Sequence, residues 1–378
     1  MMKKNKKVWK IPLVIKLSND ELITYLFDKK SSTITFKDEQ KWVKLNYGER
    51  GFYRVKYSGE NLSKLQELIL EKRLSPIDRW GIQNDLFGLT RIGEAYLDEY
   101  LDFIKAYKNE DDYFVLRDIY SKISLIYEIF SYESNLTKAL QKLKEHLKEP
   151  YATNLKKLGL NPRENENDFD ALSRILSISY LSFCEDPEII DFGLRKFSEY
   201  LKNPESLHPD LMDVVFSIAA SNGNKNTYEK MIERYLSSQH QEEKVRLLKS
   251  IGKFKDKEIL KEALDFSISG KVRLQDIGYI VYSVSSNIYG KNLILPWFKE
   301  NWENLKKYTN TPFLFRTLLE CLITAHVGIE KEKEIRELIG NYEELYKITI
   351  AKSFEIMRIN TYWLERNKDR LLAYFENK

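Results

Sequence analysis

The chain has 378 residues, with 61 Lys and Arg against 57 Asp and Glu and a net charge of +4. That length allows two domains or one long repeat domain, and 43% hydrophobic with 31% charged residues is an ordinary globular composition. So small a positive surplus is too weak to argue for nucleic acid as a partner, and none is expected; no run of about 18 apolar residues marks a membrane span.

The start is basic (Lys3, Lys4, Lys6, Lys7, Lys10) and reads as a solvated tail. No apolar core follows it, so no signal peptide is expected and the chain is placed in the cytoplasm. Short β-branched runs come next: Trp9 to Leu17 (WKIPLVIKL), Leu22 to Phe27, Ser32 to Phe36, Trp42 to Leu45 and Phe52 to Tyr57. Turn residues separate them, so they read as antiparallel strands. Pro12 suggests an edge strand or a bulge in the first.

From Asn61 the apolar period changes to 3.6. Helices are expected over 62–72, 76–92, 95–107, 112–130 and 136–148. They continue over 169–183, 187–201, 209–221, 226–237, 241–253, 257–268, 274–287, 290–307, 312–325, 331–339 and 345–365. The breaks are short and use Gly, Asn, Asp or Pro. Pro76 and Pro209 stand near first helical positions, where a missing N–H matters least. The long polar stretch from Gly159 to Asp168 reads as an exposed loop. Consecutive helices without strands predict paired helices stacked into an armadillo- or HEAT-like α-solenoid, at roughly 30–40 residues per pair. The domains are then residues 1–57, a small antiparallel β part, and 58–378, an α-helical superhelix.

The chemistry-bearing residues are few. A zinc peptidase needs H-E-x-x-H on a helix, two histidines four apart with a general base between them. His146, His208, His240 and His326 do not start that motif. His146 with Glu149, and His240 beside Glu242 and Glu243, are lone histidines next to solvent-facing acids. Cys184 precedes two acids, and both it and Cys321 lie in apolar helical contexts, so buried thiols are expected. Gly48 and Gly51 form a G-x-x-G between strands, a hairpin rather than a nucleotide clamp. Tyr279, Tyr282 and Tyr289 fall at helical spacings and read as core with a polar tip. No catalytic or metal-ligating residue is expected in this chain.

Several segments in order carry a resemblance. Leu45 to Ser58 (LNYGERGFYRVKYS) is similar to the junction between β-sandwich and helical domain in zinc aminopeptidases of the aminopeptidase N and tricorn-interacting-factor family. WKIPL at Trp9–Leu13 resembles that sandwich's W-x-x-P-L strand. Ser75 to Leu89 (SPIDRWGIQNDLFGL) resembles the family's first helical hairpin, with Asp78, Arg79, Asn84 and Asp85 at its polar positions. Asp112 to Leu125 is similar to the next long helix. Ala220, Gly223 and Tyr228 fit A-x-x-N-G-x-x-x-x-Y, and Glu243 to Gly252 follows. Asn287 to Trp302 resembles N-x-x-G-R-D-L-A-W-x-F-x-x-x-N-W with Lys291 at the Arg position, and Ile359 to Asn367 resembles A-N-x-x-W-L-E-R-N.

The resemblance implies a β-sandwich lacking its first strands, followed by a helical bowl. The zinc helix and the G-A-M-E-N segment are absent. The implied function is the non-catalytic C-terminal part of such a peptidase, inactive alone, capping the active site and binding the body or C-terminal end of peptides. Its partners are peptide substrates and a catalytic domain, in cis or as a separate chain. No cofactor is expected here; zinc belongs to the missing catalytic domain. A stand-alone α-solenoid adaptor that binds peptides or proteins is the alternative. For a peptide carboxylate the candidates are Arg79, Lys291 and Arg316, with a structural pair of Arg79 to Asp78 or Asp85 as the competing reading.

Overall fold

A computed structural model describes residues 8–376. Lys3, Lys4, Lys6 and Lys7, read above as a solvated tail, lie outside the described residues. The chain divides into two compact units, residues 1–122 and 123–378.

The first unit opens with β1 (Ile11–Leu17), β2 (Leu22–Phe27) and β3 (Val43–Leu45). They form an antiparallel sheet in the order β2-β1-β3, with Ile11 opposite Phe27 and Ile15 opposite both Ile23 and Leu45. Two expected strands do not form. At Phe52–Tyr57 the backbone finds a helix instead of a strand: Val55 N–H donates to the Asp85 carboxylate at 2.9 Å. Tyr57 hydroxyl donates to Leu45 C=O at 3.1 Å and accepts from Leu45 N–H at 3.0 Å. Ser32–Phe36 has no strand partner among the described residues.

Helices α1 (Gly59–Leu70), α2 (Pro76–Ile92) and α3 (Leu97–Ile104) complete this unit, and α4 (Tyr113–Phe130) crosses the division. The bounds of α2 follow from local chemistry. Ser75 caps its start by accepting from Asp78 N–H, Pro76 fills the first position, and Gly93 ends it at φ 87. Helix begins at Gly59, beside the 57/58 boundary drawn from the sequence, whereas the compact unit continues to residue 122.

The second unit holds α5 (Thr137–Glu145), α6 (Lys148–Leu158), α7 (Asp168–Phe183), α8 (Pro187–Lys202), α9 (Met212–Ser221) and α10 (Lys225–Ser237). It continues with α11 (Gln241–Ile251), α12 (Lys257–Ser267), α13 (Ile277–Ser285), α14 (Lys291–Leu305), α15 (Pro312–Thr324), α16 (Ile329–Ile339), α17 (Tyr342–Leu345) and α18 (Lys347–Glu376). The fold class is therefore mainly α with a small antiparallel β part. Helix α6 is not read from the sequence, because Glu149-Pro150 looks like a stop. Pro150 instead sits in the first turn of α6, where backbone N–H groups have no intrahelical partner anyway. The polar loop before α7 is pinned by Arg174, which grips the Glu166 carboxylate and donates to Gly159 C=O at 2.9 Å.

Two rows of helices build the second unit. In one row α7, α9, α11, α13, α15 and α18 each pack closely on the next. In the other, α8, α10, α12, α14 and α16 pack mainly on the first row, and only α12 with α14 pack closely among themselves. We call the row whose members pack on one another the inner row. Inner-row contacts are apolar: α13 buries Ile277, Ile280, Val281 and Val284, and α15 buries Leu314, Phe315, Leu318, Leu319 and Leu322. Helix α18 returns to the start of the unit. It packs on α5, its Trp363 meets Phe130 edge to face at 5.2 Å, and Lys142 donates to Phe375 C=O at 2.5 Å.

Candidate functional site

The polar residues of α2 are spent on structure. Asp78 accepts from Gly48 N–H at 2.8 Å and Asp85 from Val55 N–H, so two carboxylates seven residues apart hold residues 46–56 along the helix. The same face carries Gly81 and Gly88. A Cβ at either would run into the side chain of Glu49 or Arg54, so glycine gives the overlying segment a flat track. Asn46 braces the turn by accepting from Gly51 N–H (2.7 Å) and donating to Gly51 C=O (3.0 Å).

Arg79 belongs to this framework. It is 4% exposed. Its Nε and Nη2 donate to the two oxygens of Glu110 at 2.7 and 2.8 Å, and Nη1 donates to Leu74 C=O at 2.6 Å. Its ion-pair partner is thus Glu110, not the Asp78 or Asp85 considered from the sequence. Next to it, Lys122 is buried against Asp118, Gln83 Oε1 (3.0 Å) and Asn84 Oδ1 (3.1 Å). Burial pushes its ammonium down to about 8 despite Asp118.

Lys291, the first residue of α14, is 2% exposed. Its Nζ donates to Glu128 C=O at 2.9 Å and Ser131 Oγ at 2.7 Å, and lies 3.2 Å from the Tyr132 ring centroid. It therefore caps the open carbonyl end of α4, a favourable place for a cation. Tyr132 in turn donates its hydroxyl to Ala325 C=O at the end of α15. Burial pushes Lys291 down to about 7, with Glu128 opposing.

Arg316 differs. It lies exposed on α15 and forms no ion pair among the described residues. Its helix belongs to the inner row. On neighbouring α13, Tyr282 is 64% exposed and Tyr279 39%. Both were read as core, yet both fall off the buried Ile277–Ile280–Val281–Val284 stripe and point to solvent; that stripe was visible in the sequence. On α11, Lys249 sits 5.2 Å from the Tyr279 ring centroid. Just beyond α11, Lys253 donates to Ser217 Oγ at 2.6 Å. Arg246, by contrast, is engaged with Glu242 and Asp213. Among the described residues Lys249, Lys253 and Arg316 thus have no carboxylate at ion-pair distance, and Lys249 lies beside the exposed Tyr279 ring.

Two surface grooves accompany these features. One, of about 570 Å³, lies in the first unit between Ile77, Trp80, Phe114 and Arg117. The other, of about 460 Å³, lies in the second unit between Ile329, Arg336, Arg358 and Tyr362. Its guanidiniums are committed, because Glu332 takes hydrogen bonds from both arginines.

Cys184 and Cys321 are free and buried, as expected, and burial pushes both thiols up to about 12. His326 is buried with Nδ1 2.8 Å from Leu322 C=O, and burial holds it down near 4. Among the described residues no group of three His, Cys, Asp or Glu could hold a metal. Among the described residues no helix is long and apolar enough to cross a membrane.

Comparison with known proteins gives the family. Residues 42–359 match the family model of the ERAP1-like C-terminal domain. The chain is 29% identical over 338 residues to Aminopeptidase M1-B of Oryza sativa subsp. japonica, covering 87% of this chain and 38% of that protein. It is 26% identical to the Alanine/arginine aminopeptidase of Saccharomyces cerevisiae, covering 97% of this chain and 43% of the relative. It is also 26% identical to Probable aminopeptidase 2 of Sulfurisphaera tokodaii, covering 93% and 41%. The chain spans about two-fifths of the length of these relatives. By the match over most of its length, this chain belongs to the ERAP1-like C-terminal domain family of the M1 aminopeptidases.

Proposed function

We propose that the chain acts as the non-catalytic C-terminal part of a zinc aminopeptidase of the tricorn-interacting-factor type, capping the active site of a catalytic domain and holding the peptide by its body or C-terminal end. The observation that carries this reading is the inner row of the second unit, where Arg316 is exposed and in no ion pair among the described residues, Lys249 lies against the exposed Tyr279 ring, and Lys253 donates to a hydroxyl rather than a carboxylate. Guanidinium and ammonium groups recognise a terminal carboxylate, and exposed tyrosines give a peptide apolar area at little entropic loss. Arg79 and Lys291 are not part of this surface, because their donors are already used. Zinc would be held by the catalytic partner, since the residues here offer no ligand set for it. A cytoplasmic setting is supported by the free thiols of Cys184 and Cys321.

The test uses the chain alone. Fluorescent peptides with a free C-terminal carboxylate are compared with their amides by anisotropy. The carboxylate form is expected to bind about tenfold tighter, the worth of one charge-assisted hydrogen bond. Arg316→Ala is expected to erase that difference. Equal affinity for acid and amide would remove the inner row as a carboxylate site, and turnover of aminoacyl-coumarins by the chain alone with added zinc would refute the non-catalytic reading.

A further inference from the structure

Strand β2 lies at the edge of its sheet, bonded to β1 on one side. Among the described residues no backbone hydrogen bond reaches its other side. It presents Leu22 and Leu26, each 53% exposed, and it carries no Pro and no internal charge. Such an edge is a template for another strand. Its flanks carry opposite charge. Asp20 and Glu21 precede it, and after Asp28 come Lys29 and Lys30. Glu21, Lys29 and Lys30 are exposed and in no ion pair among the described residues, while Asp20 holds Lys16 at 3.0 Å.

We propose that β2 is a self-association edge, on which a second copy of this chain adds its own β2 in antiparallel sense about a two-fold axis at Tyr25. The charges select both direction and register. A parallel partner would set acid against acid and lysine against lysine. An antiparallel partner centred on Thr24 would set Asp20 against Asp28. Centred on Tyr25, the pairing puts Glu21 opposite Lys29 of the second copy and Asp20 opposite its Lys30, each twice by symmetry. Ile23 then meets Phe27, and Thr24 meets Leu26. Opposite charges across an antiparallel pair stabilise it, and like charges oppose it. A two-fold contact of this kind closes on itself, so it yields a dimer and no fibre.

A six-residue edge is a small interface, so a dissociation constant in roughly the micromolar range is expected. Sedimentation velocity of the whole chain across that range should show a concentration-dependent mass approaching twice 44.9 kDa. Lys29→Glu should weaken association about tenfold or more by setting Glu against Glu21, and adding Glu21→Lys should restore it to within about threefold. Both positions are exposed, so circular dichroism should match the unaltered chain. A monomer at every concentration overturns the proposal. So does a dimer indifferent to Lys29→Glu, a double variant that stays weak, or recovery of the chain only as a complex with a different polypeptide.

Discussion

Helices α2 and α15 show two ways of burying a helix. In α2 the buried set includes Asp78, Arg79, Gln83 and Asp85, each tied to a named partner up to 39 residues away in sequence. In α15 the buried set is Leu314, Phe315, Leu318, Leu319, Cys321, Leu322 and Ile323, without a charge. Directional groups fix one register and tolerate little. Apolar groups accept any neighbour of suitable volume. Helix α2 is therefore specified by geometry and α15 by volume.

The comparison breaks most visibly at Arg79. Arg79→Met leaves Glu110 buried and uncompensated, and should cost about 3–5 kcal/mol. Hydrogen exchange across residues 76–92 under increasing urea reads that loss locally, which suits a chain of two units. A loss below about 1 kcal/mol would mean that the pair is structurally idle. Arg79→Lys keeps the charge but not the two-pronged fit, and should still lose about 2 kcal/mol. On α15, Leu318→Ala should cost about 2–4 kcal/mol through the cavity it leaves, whereas Leu318→Met should cost less than about 1.5 kcal/mol. If the Met variant fell as far as the Ala variant, α15 would be as shape-specific as α2.

Titration sharpens the contrast next. His326 in the second unit is held near 4, below its ordinary 6.5. A proton then binds the unfolded chain more readily, so stability is lost as pH falls from 6.5 towards 4, by up to about 3 kcal/mol. Lys122 in the first unit is pushed from 10.5 to about 8. Its burial penalty persists below pH 8 and is relieved as pH rises towards 10.5, so stability rises there by up to about 3 kcal/mol. Thermal melts of His326→Gln and Lys122→Met against the unaltered chain should lose these pH-dependent steps in their respective windows. A variant whose pH profile parallels the original would show that its group contributes no step. The smallest effect belongs to Arg316→Ala, which should change stability by no more than about 0.5 kcal/mol, because the side chain is exposed and unpaired. A larger loss would make Arg316 structural.

Residues differ in how far their own neighbourhood announces their fate. Ser75, Pro76 and Gly93 delimit α2 by local rules, so its bounds were legible. Residues 52–57 alternate like a strand, but their partner is the carboxylate of Asp85, which no period reveals. The last helix runs to Glu376 rather than ending near 365, because Leu371 and Phe375 find cover on a distant helix. Lys291 opens a helix, where lysine is usually solvated, and only its acceptors some 160 residues earlier explain its burial. Arg316 was legible as a candidate because it needed no distant partner, and the tyrosines of α13 were legible in principle from the stripe they avoid.

The return of α18 to α5 has a consequence for biosynthesis. An open helical array can consolidate repeat by repeat as it leaves the ribosome, and it frays from its free end afterwards. Here Phe130 packs on Trp363, and the partner of Lys142 is the carbonyl of Phe375, so the earliest part of the unit waits for a helix made more than 200 residues later. Once those residues arrive, the unit has no loose end from which to unravel. A stop codon anywhere within the final helix would leave its first helix exposed to chaperones and proteases.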